Sequence, residues 1–177
     1  MSFSKKLLHN LESEAISIIR DSYSKSSNPV MMYSIGKDSS VLLHLARKAF
    51  FPSIVPFPLL HIDTKWKFKE MIKFRTDVKN KFKLNLITYT EEKGIKLNPQ
   101  KDKHYTDVMK TKALKDALDK YQFDVIYGGA RRDEEASRSK ERIVSVRDKG
   151  HTWNPKHQKP ELWNLFNYEK DEDQTLR

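Results

Sequence analysis

The fold is decided by residues 30–40, which read VMMYSIGKDSS. The first four of these residues are apolar, and a run of that length is too short for a helix and suits a buried strand. From residue 41 onward, apolar residues recur at helical spacing, at Val41, Leu42, Leu43, Leu45, Ala46 and Ala49. The sequence therefore predicts a strand, a polar loop that contains one glycine, and a helix in direct succession.

The same alternation extends through the first 130 residues. The patterns predict helices over residues 5–24, 68–82 and 106–121, and further strands over residues 58–63, 84–89 and 124–127. Strands that alternate with helices are joined by right-handed crossovers, which make neighbouring strands parallel. We therefore expect an α/β fold with an open, mostly parallel sheet and helices on both faces.

This rhythm stops at residue 131. Residues 131–146 are densely charged and predict a helical stretch, and residues 168–177 are acidic with little apolar content, which is typical of partial disorder. Between them lie Trp153 and Trp163, and aromatic residues are favoured at interfaces. We therefore divide the chain into a nucleotide-binding α/β domain at 1–130, with its N-terminal helix, and a charged C-terminal arm at 131–177 that is a candidate partner surface.

Composition and charge narrow the function classes. A chain of 177 residues is about one domain, and 37% hydrophobic residues suffice for a core. It has no cysteine, which excludes disulfides, thiolate metal sites and cysteine nucleophiles within it. No apolar run approaches the ~20 residues of a membrane span and no signal peptide is recognisable, so we expect a soluble, cytoplasmic protein with no membrane partner. The net charge of +10 favours anionic partners without choosing among nucleotides, sulfate, nucleic acids and acidic proteins.

The loop at residues 34–40 has the residue types of a phosphate-binding site. In a parallel sheet, ligands bind at the carboxyl ends of the strands, where helix N-termini point amide N–H groups at an anion. Gly36 allows a tight turn and Lys37 supplies a positive charge, while hydroxyl groups come from Ser34, Ser39 and Ser40. The Walker A pattern fails, because Met31 stands at its first glycine and Asp38 follows the lysine.

Residues 34–39 resemble the PP-loop of N-type ATP pyrophosphatases, in the S-x-G-K-D-S form of the sulfate-assimilation branch. The likeness continues at residues 28–34, 43–50, 56–64, 107–111, 128–135 and 160–163. From residue 11 to 163 the chain resembles the family of small subunits of bacterial ATP sulfurylase (sulfate adenylyltransferase subunit 2). Ile35 and Lys65 stand where that family usually has glycine. Its members are also longer at the C-terminus, which leaves open whether 177 residues suffice for activity.

The resemblance implies a reaction of ATP with sulfate that gives adenosine 5′-phosphosulfate and pyrophosphate, in sulfate assimilation and cysteine biosynthesis. It implies that the β- and γ-phosphates are held by Ser34, Gly36, Lys37, Asp38, Ser39 and Ser40, and that Asp38 helps to place Mg²⁺. It also implies that the adenosine is flanked by Tyr33, Asp63 and Thr64, and approached by Gly128 and Gly129. The partner implied is a GTPase large subunit, which would drive an uphill reaction.

We expect Arg131 or Arg132 to contact sulfate or the α-phosphate, and we count both with Lys37 and Asp38 as catalytic. From the residues alone, these arginines could equally pair with acids of the same predicted helix, Glu134, Glu135 and Glu141. His44 and His61 lie beside apolar residues and are interpreted as packing residues. The basic run at residues 65–83 is interpreted as a solvated surface.

Two alternatives remain beside this hypothesis. One is another PP-loop ATP pyrophosphatase of the tRNA-modifying type, although no RNA-binding domain is recognisable. The other is a basic nucleic-acid-binding module without catalysis, which would give the loop at residues 34–40 no role. A phosphosulfate reductase is excluded for these 177 residues, because its reaction needs a cysteine.

Overall fold

The structure is a computed structural model that describes residues 4–130, 136, 139–162, 166–172 and 174–177. Its α-helices are α1 (Lys5–Ser24), α2 (Lys37–Phe50), α3 (Lys69–Lys81) and α4 (Ala113–Tyr121). Its strands are β1 (Pro29–Met32), β2 (Leu59–Ile62), β3 (Leu86–Tyr89), β4 (Val125–Tyr127), β5 (Val146–Asp148), β6 (Thr152–Trp153) and β7 (Thr175–Leu176). Within these ranges no helix has the length and apolar character needed to cross a membrane.

The seven strands form one sheet in the order β3-β2-β1-β4-β7-β5-β6. The strands from β3 to β7 in this order are parallel, and β5 is antiparallel to both of its neighbours, β7 and β6. At its centre, Met31 of β1 lies opposite Leu59 of β2 and Tyr127 of β4. The expected α/β fold with a mostly parallel sheet is confirmed. The carboxyl ends of β1, β2 and β4 lie next to one another on the same side of the sheet.

Apolar side chains cover both faces of the sheet. On one face, Met31 and Leu59 pack with Ile19 of α1 and Leu43 of α2. On the other, Leu60 packs in a second cluster whose buried members also include Val30, Ala117, Leu118, Phe123 and Ile126. Alternate residues of a strand point to opposite faces of the sheet. In each of the pairs Val30/Met31 and Leu59/Leu60, one residue therefore belongs to each cluster.

The prediction of an arm separate from the sheet is not confirmed. Strands β5, β6 and β7 extend the sheet, and Leu176 of β7 is 3% exposed and donates its N–H to the Asp124 carbonyl at 2.9 Å. Ser145 and Arg177 exchange two backbone hydrogen bonds of 2.7 and 2.8 Å. The described residues 139–145 form turns and bends rather than the predicted helix. Ser145 bonds to Arg177, and the Ile143 N–H donates to the Glu161 carboxylate at 3.2 Å instead of to a carbonyl four residues earlier.

A π-helical segment, Asp107–Lys112, runs directly into α4. Just before it, the Tyr105 hydroxyl donates to the Thr64 carbonyl at 2.8 Å, which ties this segment to the carboxyl end of β2. Segments of π-helix are rare and occur frequently at functional sites. Here the segment lies beside the carboxyl end of β2, next to the loop at residues 34–40 that follows β1.

Candidate functional site

The loop after β1 is held by hydrogen bonds among its own serines and Gly36. The Ser34 hydroxyl lies 3.1 Å from the Ser39 hydroxyl, and the Ser39 and Ser40 hydroxyls donate to the Gly36 carbonyl at 3.0 and 2.9 Å. Ser39 is buried, whereas Ser34 remains exposed. The three serines predicted to bind phosphate therefore stabilise the conformation of the loop. Ser34 is in addition exposed to solvent.

The N-terminus of α2 is open toward solvent. Gly36 is its N-cap and provides no side-chain acceptor, so the first-turn amide groups of this 14-residue helix have no cap. Lys37 and Asp38, which begin the helix, are both exposed. An uncapped helix N-terminus with an adjacent lysine has the amide donors and the positive field that bind a phosphate group.

Ile35 adopts a left-handed backbone conformation, with φ of 71°. A β-branched residue is a conformational outlier there, because its Cβ clashes with the backbone, whereas glycine adopts this region without cost. The strain is held by the surroundings, since the Ile35 side chain is 9% exposed and belongs to the core cluster that contains Met31. Strained backbone of this kind concentrates at functional loops, and here it fixes the path of the chain into Gly36.

Gly129 forms a second wall of the site. A Cβ added to Gly129 would lie 3.3 Å from the Asp38 carbonyl oxygen, so a side chain there would press on the first turn of α2. Gly128 is exposed beside it and lies next to the Arg177 side chain. The structure thus brings the residues after β4 against the loop after β1, as the parallel register of these two strands requires.

The residues expected beside the adenosine lie at this edge but are largely buried. The Tyr33 side chain is 2% exposed and packs in the core, where burial raises the pKa of its phenol above the usual value. Thr64 is also buried and its carbonyl is engaged by Tyr105. The Tyr33 backbone is engaged as well, because its N–H donates to the Leu60 carbonyl at 2.9 Å and its carbonyl lies 2.7 Å from a ring nitrogen of His61.

Asp63 lies at the centre of a group of charged residues after β2. Its carboxylate accepts the Lys65 N–H at 2.9 Å and lies 3.6 Å from the Lys65 ammonium and 3.7 Å from Nη1 of Arg75. Burial alone would raise the pKa of the Asp63 carboxyl, but the Lys65 N–H and the two cations together hold it below the usual value. Lys65 has φ of 62°, a conformation that favours glycine.

His61 is fully buried between these charges and β1. One ring nitrogen, Nδ1, lies 2.7 Å from the Tyr33 carbonyl, whereas Nε2 has no hydrogen-bond partner within the described part of the chain. Since a carbonyl only accepts, Nδ1 carries the proton and donates it, and Nε2 of the neutral ring is an acceptor. Burial, opposed by the bond to Tyr33 and aided by Lys67 and Arg75, lowers the pKa of His61 to about 4.

This buried histidine makes stability depend on pH. Because its pKa is about 4 in the folded state and about 6.5 when unfolded, the unfolded chain binds the extra proton between these values. The contribution of neutral His61 to the free energy of unfolding is therefore fully present above pH 6.5. We expect the free energy of unfolding to fall by about 3 kcal/mol as the pH drops to 4. Urea unfolding at several pH values measures this slope. His61→Gln should flatten it and His44→Gln, at an exposed position, should not; equal slopes in both variants would contradict this account.

Two of the predicted catalytic residues, Arg131 and Arg132, lie outside the described residues, as do Glu134, Glu135 and Trp163. Trp153 is only partly exposed as a member of β6. No group of three or more histidine or acidic residues within the described ranges could hold a metal ion by itself. The loop itself carries one carboxylate, Asp38, and a Mg²⁺ ion that binds through one carboxylate takes its other ligands from phosphates and water.

The basic run at residues 65–83, interpreted as a solvated surface, is exposed at six of its eight basic residues, and the exceptions are Lys67 and Arg75. The Arg75 side chain is 14% exposed and Lys67 is half-buried, so neither belongs to a fully solvated surface. A signal was present, because Arg75 follows Met71 by four residues and precedes Val78 by three, which places it on the partly buried face that α3 packs against the core. An arginine on such a face indicates a partner in the interior.

The sequence and the fold of this chain are similar to those of known proteins. Residues 28–168 match the model of the phosphoadenosine phosphosulfate reductase domain. Two solved structures share the fold at 18% sequence identity, which supports likeness of fold alone. A phosphoadenylyl-sulfate reductase from Candida auris superposes with a TM-score of 0.57, covering 74% of this chain and 70% of that one. An FMN adenylyltransferase from Candida glabrata superposes with a TM-score of 0.61, covering 86% and 53%.

Closer relatives are found by sequence. The chain is 54% identical over 174 residues to the sulfate adenylyltransferase subunit 2 of Psychromonas ingrahamii, an alignment that covers 96% of this chain. It is 55% identical over 179 residues to the protein of the same name from Sulfurimonas denitrificans, with 98% of this chain covered. The chain spans 58% and 59% of the length of these two relatives.

Proposed function

Because the chain belongs to the phosphoadenosine phosphosulfate reductase domain family, we propose that it forms the catalytic part of a sulfate adenylyltransferase. The observation that carries the proposal is the 54–55% identity, over nearly the whole chain, to relatives named sulfate adenylyltransferase subunit 2. The open N-terminus of α2 beside Lys37 supports the proposal, because free helix amides next to a lysine bind the phosphates of a nucleoside triphosphate. The proposed setting is sulfate assimilation toward cysteine, in the cytoplasm.

In the proposed reaction a sulfate oxygen attacks the α-phosphorus of ATP. A new bond joins the sulfate oxygen to the α-phosphorus and creates an S–O–P bridge. The bond from the α-phosphorus to the oxygen that links it to the β-phosphorus breaks, and that oxygen leaves with pyrophosphate. Sulfate is fully ionised at neutral pH, so the nucleophile needs no general base. The barrier comes from bringing two anions together and from charge on the leaving group, which positioned donors and cations lower.

Each part of the site has a proposed task. The amides of the first turn of α2, with Ser34 and Lys37, bind the β- and γ-phosphates and stabilise the pyrophosphate as it leaves. Gly129 keeps the space beside Asp38 open to the nucleotide. Arg131 or Arg132 contacts sulfate or the α-phosphate, and the adenosine lies near Asp63, Thr64 and the Tyr33 backbone.

Mg²⁺ fits this arrangement through the exposed carboxylate of Asp38, with phosphate oxygens and water as its other ligands. When bound, the ion would neutralise charge on the phosphates. We further propose that the partner subunit, which the name of the relatives implies, is a GTPase whose hydrolysis cycle drives the uphill formation of adenosine 5′-phosphosulfate.

The proposal predicts sulfate-dependent release of pyrophosphate from MgATP. The assay would use the chain alone and the chain mixed with GTP and the large subunit from a relative such as Sulfurimonas denitrificans. We expect pyrophosphate to appear only with sulfate, to increase with GTP and the partner, and to disappear in Asp38→Ala. Lys48→Ala, at the far end of α2, serves as the control and should stay active. Release that ignores sulfate would contradict the proposal.

A further inference from the structure

The charged residues after β2 form a group that the loop at residues 34–40 does not use. It consists of Asp63, Lys65, Lys67 and Arg75, with His61 beneath them. Its place is set by the sheet, because β2 is parallel to β1 and adjacent strands lie about 4.8 Å apart. The bond from His61 to the Tyr33 carbonyl connects the group directly to the residue that precedes the loop.

The charges in this group do not balance. The single carboxylate, Asp63, is already engaged by the Lys65 N–H and by the cations of Lys65 and Arg75. His61 is neutral above about pH 4 and contributes an acceptor atom but no negative charge. Among the residues that the structure describes, three cations therefore share one carboxylate, and two positive charges in a partly buried place have no described counter-charge.

Two of the cations have unused donors. Nη1 of Arg75 is buried and makes no hydrogen bond to any described residue, since its approach to Asp63 is 3.7 Å. Lys67 is half-buried and forms no ion pair within 4.0 Å in the part of the chain that the structure describes. Burial and the nearby charges of Arg75 and Lys110 lower the pKa of Lys67, although Asp63 opposes this. Buried cations are normally paired, so these donors lack an anion.

We propose that Lys67 and Arg75 bind a tetrahedral dianion at the carboxyl end of β2, next to the phosphate-binding loop. This inference rests on the proposed function, in which the dianion is the attacking sulfate. A surplus of two positive charges matches the charge of sulfate, and guanidinium and ammonium groups are both donors to the oxygens of such an anion. The loop then holds the ATP phosphates and the group after β2 holds the nucleophile. Asp63 therefore belongs to the sulfate site, the adenosine lies toward Thr64, Gly128 and Gly129, and Arg131 or Arg132 contacts the α-phosphate.

The test is equilibrium binding of radiolabelled sulfate to the full chain at constant ionic strength, with and without MgATP. We expect Lys67→Gln to raise the dissociation constant for sulfate about tenfold, since a hydrogen bond to a charged group is lost. Lys69→Gln is the matched control, because it removes the same charge from an exposed position in the first turn of α3. That variant should bind sulfate like the wild type.

Several outcomes would overturn the inference. They are the absence of saturable sulfate binding by the wild-type chain, an equal loss in Lys67→Gln and Lys69→Gln, and a loss of MgATP affinity in Lys67→Gln with sulfate affinity unchanged. The last result would show that a phosphate of ATP, rather than sulfate, occupies the group. Because MgATP binding is measured separately, failure here is distinguishable from failure of the proposed function, which would appear as a wild-type chain that does not bind MgATP.

Discussion

Replacing Leu176 with alanine is expected to lower the free energy of unfolding by about 3 kcal/mol. Leu176 is 3% exposed, pairs with Val125 and Val146 in the sheet, and belongs to the main core cluster. Its side chain also lines a cavity of about 250 Å³ between α1 and β4, so the substitution enlarges a space that the surroundings already fail to fill. Removal of buried methyl groups costs most where the site cannot collapse.

Urea unfolding followed by circular dichroism measures this effect as a lower midpoint at an unchanged slope. Leu162→Ala is the control, because Leu162 lies in the same C-terminal region but is 59% exposed, and it should change stability by less than about 0.5 kcal/mol. If Leu176→Ala were as stable as Leu162→Ala, residues 175–176 would not be part of the folded sheet. That outcome would restore the prediction of an arm separate from the α/β domain.

The fold of the first 130 residues could be predicted because its elements are long enough to show a period. The helix predicted over residues 5–24 is α1, and the apolar run that begins at Val30 is β1 to within one residue. Strands β6 and β7 have two residues each, which is too short for any alternation of apolar and polar residues. Leu176 is an isolated apolar residue in a polar and charged segment, and its burial becomes visible only through its pairing with β4.

The site was predictable where the chemistry is local. The residue types at 34–40 predicted a phosphate-binding loop, which stays a prediction, and the structure explains the two departures from the family pattern. Ile35 and Lys65 both adopt positive φ, so glycine at these positions would meet a backbone requirement that this chain satisfies with strain. The group of Asp63, Lys67 and Arg75 was not predictable, because it forms only when α3 packs on the sheet and brings its residues toward the end of β2.

The second large effect is expected in the loop itself. Changing Lys37 and Asp38 together to alanine removes the charge next to the open helix N-terminus and the carboxylate proposed for Mg²⁺. Each charged contact to phosphate or metal is worth about 1.5–3 kcal/mol, so we expect the affinity for MgATP to fall at least about 100-fold. Both side chains are exposed, and the fold should therefore stay intact.

The most direct test of the central claim, that residues 34–40 bind the phosphates of ATP, is calorimetric titration of MgATP into the wild type and this double variant. Asp77→Ala with Lys79→Ala is the matched control, since it removes the same residue types from exposed positions of α3. The account predicts saturable MgATP binding by the wild type and the control, weaker binding of GTP, and at least about 100-fold weaker MgATP binding by the loop variant. Equal MgATP affinity in the loop variant and the wild type would contradict it.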